Sequence, residues 1–421
     1  MTYSAFSDRL AKARLLSLKF LCAGSLLSIF TLSFAQENLS FRQLSVNDGL
    51  SQNSAISIAQ DVDGFLWIAT QEGLNRYDGR NFLIFEKKFL DITESTRLML
   101  GKVFSDRKNR VWIIPESSIP EVLDREKMEF IPIEGISSAN SILEDVDGTI
   151  WFGTLSGQLY SWNEELKKAE MIWSDPEKEI VNIAKYDEAH LLLTLRDEVI
   201  LWNKSSGSHT SVWKPSPETI LSVSILDHTG RFWFGTLNRG LWTKKAGEEA
   251  IALEKYLNQE VNSEEMILDL LLDSKKRLWV ATYGRGVQKI NVELKTLTEY
   301  SYSKQNPRSI HYNDILSIFE DYTGTLWFGS DGAGLSFYDS YLEKFNFFHN
   351  QEVPENINID VVRSIYVDEF ENVWLGTSGK GLTRYNPRTN TWKTFVHDPE
   401  NEQSLSSNRV MSLLGDGQGK L

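Results

Sequence analysis

At seven points along the chain an apolar triplet centred on tryptophan follows an aspartate six residues before the indole. The fullest copies read DVDGFLWIAT to Thr70, DVDGTIWFGT to Thr154, DHTGRFWFGT to Thr236 and DYTGTLWFGS to Ser330, with rougher ones around Trp112, Trp279 and Trp374. Three apolar residues in a row, as in Leu326-Trp327-Phe328, do not fit the alternation of a half-exposed strand and predict one buried on both faces. A second apolar segment, such as residues 315–319, ends at the aspartate of each copy (Asp61, Asp106, Asp145, Asp227, Asp273, Asp321 and Asp368). That aspartate can accept hydrogen bonds from the turn it begins, and Gly or Asn three residues before the tryptophan tolerates positive φ, so each copy spells a hairpin. Lys276 and Glu371 stand at the glycine position in two copies and Pro115 replaces the Thr in another. Altered turns are expected there, at about 1 kcal/mol each wherever positive φ is kept.

The tryptophans Trp67, Trp112, Trp151, Trp233, Trp279, Trp327 and Trp374 are spaced by 45, 39, 82, 46, 48 and 47 residues. The long gap hides a degenerate copy with Leu191 in the tryptophan place, since Thr194 follows it by three and Trp202-Asn203 follows as Trp162-Asn163 does after Trp151. Eight copies at a period of about 44 residues fall in the range of four-stranded propeller blades. After each tryptophan strand a turn leads to an aromatic or aliphatic residue with Asp or Asn, as at Tyr77-Asp78 and Tyr338-Asp339, marking a third strand. A fourth carries spaced aromatics, as at Phe345, Phe347 and Phe348. The fold expected is all-β, a propeller of four-stranded antiparallel blades; the spacing leaves open one closed eight-bladed ring or a seven-bladed ring followed by the start of a second propeller.

Residues 1–35 carry Arg9, Lys12, Arg14 and Lys19, then an apolar run ending Ser33-Phe34-Ala35, and predict a secretory signal cut after Ala35. The one cysteine, Cys22, lies inside that leader, so the exported part relies on its core rather than on disulfides. Removing the leader's four basic residues and Asp8 takes the formal charge from −14 to −17. A surface that acidic argues against nucleic acid or anionic membrane as partners. At the other end Asp416 and Gly419 begin a further copy whose tryptophan would fall just beyond Leu421, so the chain is expected to be the front of a longer protein.

The repeated phrase, the leader, and GLSQNS at 49–54 followed by GFLWIAT and GLNRYDG resemble the two-component regulator propeller repeats of hybrid two-component sensors. The resemblance runs from about residue 41 to the end. It implies a periplasmic sensor region, residues 36–345 forming a first propeller and 346–421 opening a second, with a membrane helix and histidine kinase in downstream parts. On that pattern residues 41–46 complete the last blade of the first ring and so remove its free edges. The resemblance also implies that the parent is a homodimer anchored in the inner membrane through those downstream parts, and that its ligand is a small molecule or an oligosaccharide from polysaccharide breakdown.

No two of the six histidines stand at metal-ligand spacing, and no HExxH, GxSxG or phosphate-cradling loop is present, so no catalytic residue, cofactor or metal is expected. The repeated aspartates share one turn position, which assigns them to the hairpin. Variation between copies falls in the turn after each tryptophan strand, where Asn238, Arg239, Tyr283, Arg285, Asp331, Ser378 and Lys380 replace small residues. Of these, Asn238, Arg239, Tyr283, Arg285, Asp331 and Lys380 are the candidate ligand-binding set, because Arg and Tyr hold hydroxyls or carboxylates through bidentate bonds and stacking. Two other classes remain open at this point. DGTIWFGT also resembles the blades of streptogramin-type lyases and the Asp-boxes of sialidases, which would make the chain an exported enzyme, and a propeller face can equally bind a protein partner.

Overall fold

The computed structural model of the chain describes residues 39–86, 101–115, 119–262, 264–341, 353–354, 357–416 and 421. The leader with Cys22, the expected boundary at 345/346 and Phe345, Phe347 and Phe348 lie outside the described residues.

The described strands form eight four-stranded antiparallel sheets. In six of the first seven, four strands follow one another in sequence from the inner to the outer edge. The seventh, built on Ile315–Glu320, Leu326–Ser330 and Leu335–Tyr338, takes its outer strand from Arg42–Leu44 near the start of the chain, pairing Arg42 with Phe337 and Leu44 with Leu335. The inner strands pack in succession: Ala55–Gln60, Lys102–Ser105, Ser141–Glu144, Ile180–Lys185, Leu221–Leu226, Met266–Leu272 and Ile315–Glu320, the last returning to the first. This is a seven-bladed ring closed by its N-terminal strand. The eighth sheet, Val362–Val367 to Thr391–Phe395, repeats the blade pattern. Its inner strand is exposed, with Ile365 65% and Val367 56% accessible, whereas Ile58 and Ile318 at the position of Ile365 are buried in the ring.

Each conserved-looking letter of the repeated phrase has a physical task. One oxygen of the aspartate accepts the backbone N–H four residues on, and the other accepts the indole N–H six residues on. The indole bonds are 2.8 Å from Trp67 to Asp61, 2.9 Å from Trp112 to Asp106, 2.7 Å from Trp233 to Asp227 and 2.8 Å from Trp279 to Asp273, Trp327 to Asp321 and Trp374 to Asp368. The small residue two places after the tryptophan sits where blades meet. A Cβ at Gly329 would lie on the Ala55 carbonyl of the next blade, and one at Gly235 would meet Ile267 Cγ2 at 2.7 Å. The following Thr or Ser closes the next turn: Thr236 Oγ1 donates to the Gly240 carbonyl at 2.7 Å and accepts the Arg239 N–H at 2.9 Å.

Blade 4 shows how the degenerate copy is accommodated. Leu191 pairs with Lys185 and Trp202 as Trp151 pairs with Leu143 and Ser161, so it does occupy the tryptophan place in a hairpin two residues shorter. The missing indole is supplied across the strand by Trp202, fully buried and edge-on to Trp151 at 5.5 Å. In blade 3 the aspartate is diverted: Asp145 forms an ion pair with Lys204 of blade 4, and Trp151 Nε1 is left without a partner.

The turns at Lys276 and Glu371 are not altered, contrary to the expectation from sequence. Both residues keep positive φ, 62° and 63°, and both bond back to their aspartate, Lys276 N–H to Asp273 O at 2.8 Å and Glu371 N–H to Asp368 O at 2.9 Å. The two hydrogen bonds of the aspartate and the indole outweigh the steric penalty of a left-handed side chain, about 1 kcal/mol. Lys276→Gly should therefore stabilise the ring by roughly 0.5–1 kcal/mol, read as a higher urea midpoint at unchanged slope.

Candidate functional site

In every blade the turn between the second and third strands and the segment that enters the inner strand lie on the same face. In blades 5, 6 and 7 and in the eighth sheet glycine N–H groups stitch that turn to the segment that follows the blade. Gly240 donates to Glu265 O at 3.0 Å, Gly286 to Asn313 O at 2.8 Å and Gly334 to Asn53 O at 2.7 Å, each reaching the segment that enters the next inner strand, and in the eighth sheet Gly381 donates to Asn408 O at 2.8 Å. The side chains of these turns are thus carried on a rigid rim.

The structure places the candidate residues along this rim. Asn238 Nδ2 donates to Glu218 O at 2.6 Å and its Oδ1 accepts the Ile220 N–H at 3.1 Å, so it pins the entry to its own blade. Arg239 pairs with Glu218 at 2.8 Å, and Arg285 lies 3.5 Å from Glu265. Tyr283 is half-buried at the end of its strand, opposite Met266. Asp331 accepts a 2.8 Å hydrogen bond from the buried Ser54 hydroxyl across the closure of the ring. Lys380 has its N–H tied to Thr377 Oγ1 at 2.9 Å and belongs to the eighth sheet, outside the seven-bladed ring.

Blade 4 adds an unforeseen member, Arg196 paired with Glu179 at 2.8 Å. Three successive blades, 4, 5 and 6, therefore present an arginine from the turn held by a glutamate of their own entry segment. The acids differ in one respect: Glu179 and Glu218 are exposed, but the Glu265 side chain is 4% accessible. Burial pushes the Glu265 carboxyl up, against the Gln288 hydrogen bond and the Arg285 charge that favour its ionised form. Gln288 Nε2 donates to Glu265 Oε2 at 2.7 Å and to Glu299 Oε1 at 3.1 Å. Outside this pair runs a groove of about 1100 Å³ lined by Arg277, Arg285, Lys289 and Glu299 among others. Glu265 and Gln288 could have been suspected only from their place: the equivalent third-strand positions also carry buried polar residues, Asn75 and Ser336, but nothing in a single repeat tells which blade leaves its polar atoms unused.

A second ionisable pair lies among the inner strands. Asp269 of blade 6 is pushed up to about 6 by burial, while hydrogen bonds from the Ile318 and Leu270 N–H groups and the charge of Lys102 act the other way. Burial lowers Lys102 of blade 2, and Asp269 offsets part of that. Among the described residues no three His, Cys, Asp or Glu side chains converge as metal ligands.

The family model for the two component regulator propeller matches residues 49–72, 135–156 and 309–332. A 63-residue stretch is 41% identical to Histidine kinase P4 of Formosa agariphila, a stretch that makes up 15% of this chain and 5% of that protein. Among solved structures, the extracellular domain of a hybrid two component system of B. thetaiotaomicron superposes with a TM-score of 0.63 at 20% identity, over 91% of this chain and 51% of that one. A second such domain from the same organism gives 0.57 at 19%, over 89% and 50%. The virginiamycin B lyase of Staphylococcus aureus gives 0.57 at 13%, over 72% and 99%. The chain is a β-propeller, and three of its segments match the two component regulator propeller repeat. It spans about half the length of the extracellular domains it matches, and at these identities the superpositions speak to the fold.

The raised Asp269 carboxyl has a signed consequence. The folded state holds that proton more tightly than the unfolded chain, so its contribution is fully present below the unfolded value near 3.8 and is lost as pH rises through about 6. Asp269→Asn keeps an acceptor for the Ile318 N–H and removes the titration. Between pH 4 and pH 7.5 the variant should gain on the parent by up to about 3 kcal/mol, read from urea midpoints at the two pH values.

Proposed function

We propose that the chain is the ligand-sensing part of a hybrid two-component sensor, exported to the periplasm, which in its full-length parent controls a histidine kinase. Residues 36–345 form its first propeller and 346–421 open a second, and the parent pairs as a homodimer through downstream parts. The ligand is an extracellular nutrient, an oligosaccharide, bound on the rim of turns that carries Asn238, Arg239, Tyr283, Arg285 and Asp331. The observation that carries this reading is the row of arginines at 196, 239 and 285, each oriented by a glutamate on one face of a scaffold whose repeated parts are otherwise spent on holding blades together. Preset guanidinium groups suit bonding to sugar hydroxyls. The likeness to extracellular sensor domains supports the same reading.

An enzyme remains the second reading, favoured by the superposition on virginiamycin B lyase. Against it stands the use of the aspartates: in six of the seven repeats that carry both residues, the carboxylate is occupied by its indole. The double variant Arg239→Ala/Arg285→Ala tests the sensor reading. Titrated calorimetrically with oligosaccharides from polysaccharide digests, it should bind roughly tenfold or more weakly than the parent while melting within a few degrees of it. Unchanged affinity would remove these arginines from the site.

A further inference from the structure

At the junction of blades 5 and 6, two neighbouring side chains beside the groove leave buried polar atoms unused. Gln288 is 1% accessible and its Oε1 has no hydrogen-bond partner. Glu265 is 6% accessible, and its Oε1 faces Arg285 Nε at 3.5 Å without hydrogen-bond geometry. The equivalent side chain in blade 1, Asn75, is fully used: its Oδ1 accepts the Ser51 N–H at 2.9 Å and its Nδ2 donates to Ser51 Oγ at 2.8 Å. In blade 7 Ser336 Oγ accepts the His311 N–H at 3.1 Å. An orphaned buried acceptor costs about 1–3 kcal/mol, so two side by side call for a donor.

We propose that this junction is a subsite for an uncharged, hydroxyl-rich sugar, recognised by Gln288, Glu265 and Arg285. The argument is one of donors and acceptors. A pair of adjacent sugar hydroxyls supplies two O–H donors, one to Gln288 Oε1 and one to Glu265 Oε1, and its oxygens accept from the half-exposed Arg285 guanidinium. A uronate or sulfated sugar sets its own negative charge against Glu265, Glu299 and Glu260. An amino sugar or other ammonium ligand meets Arg277, Arg285 and Lys289 along the same groove. The groove volume, about 1100 Å³, accommodates several sugar rings rather than one. Glu265 and Gln288 lie behind the groove wall, whose lining includes Arg285, which pairs with Glu265, and Glu299, which bonds Gln288; a ligand reaches the two oxygens as these two side chains turn to it. A site built on hydrogen bonds from buried polar groups rejects ligands that lack the matching hydroxyl.

The assignment rests on reading this rim as the ligand-binding face, and its test separates the two. The full chain is titrated calorimetrically with a neutral set (maltohexaose, laminarihexaose, mannohexaose and xylohexaose) and an anionic set (tetragalacturonate and a tetrameric alginate). Gln288→Leu, Glu265→Gln and the exposed Arg285→Ala are then run against whichever sugar binds, with melting temperature as the control for folding. Binding of a neutral sugar that falls roughly tenfold or more in Gln288→Leu and in Arg285→Ala is the expected result. Should Gln288→Leu fail to fold, Arg285→Ala, whose side chain is half-exposed, carries the same expectation. Binding of an anionic sugar instead overturns the proposed ligand class and leaves the sensor reading standing. Neutral binding unmoved by all three variants overturns the location, and no binding from either set overturns the proposal together with the oligosaccharide reading.

Discussion

The structure hangs on a carboxylate taken out of water at the tip of the hairpin in five of the blades, those of Asp61, Asp106, Asp145, Asp227 and Asp273. A buried carboxylate is tolerated only when hydrogen bonds replace its hydration. Here one oxygen holds the turn backbone and the other holds an indole, so turn, register and core are fixed by a single side chain. The side chains of Asp61, Asp106, Asp145 and Asp273 are wholly inaccessible, and each also receives a cation, from Arg125, Arg110, Lys204 and Arg277. Arg125 and Lys204 come from the next blade, so the same carboxylate that organises one hairpin ties it to its neighbour. Where Lys204 takes over Asp145, the indole of Trp151 loses its partner, and the adjacent blade has dropped its own tryptophan from the second strand for one on the third.

Neighbouring blades are joined by a second recurring contact. The last residue of an inner strand caps the turn of the preceding blade: Glu144 accepts from the Arg107 N–H, Glu320 from Ser274 and Gln60 from Tyr322. The third of these joins blade 7 to blade 1, so the closure uses the same contact as two junctions inside the ring. With Arg42–Leu44 completing the seventh blade, closure spans both chemistry and connectivity. The rim of turns therefore stands on a frame that is rigid all the way round, which is what a recognition surface of preset arginines requires.

The repeated parts of this design were legible in the sequence because each is local. The aspartate, the small residue and the threonine act within a hairpin or at a contact that recurs in most copies. Leu191 could be placed by the letters around it, and residues 41–46 could be expected to close the ring because they look like a lone fourth strand; Arg42–Leu44 does so. The turns at Lys276 and Glu371 were misread since a missing glycine signals a changed turn only if nothing else holds it, and the carboxylate does. Glu265 and Gln288 could be suspected only from their place in the repeat, and Arg196 and the Lys102–Asp269 pair could not be read at all. Their character comes from neighbours in other strands or blades and from burial, neither of which a repeat pattern carries.

The dependence on the carboxylate is tested most directly by Asp227→Ala in urea denaturation. Trp233 is fully buried and its N–H is bonded to Asp227 at 2.7 Å, so the variant leaves that donor and the turn N–H of Arg231 without their acceptor. A loss of about 2–4 kcal/mol with an unchanged slope is the result expected. A midpoint equal to that of the parent would mean that the indole and the turn hold their places without the carboxylate, and the account of the fold given above would be wrong at its base.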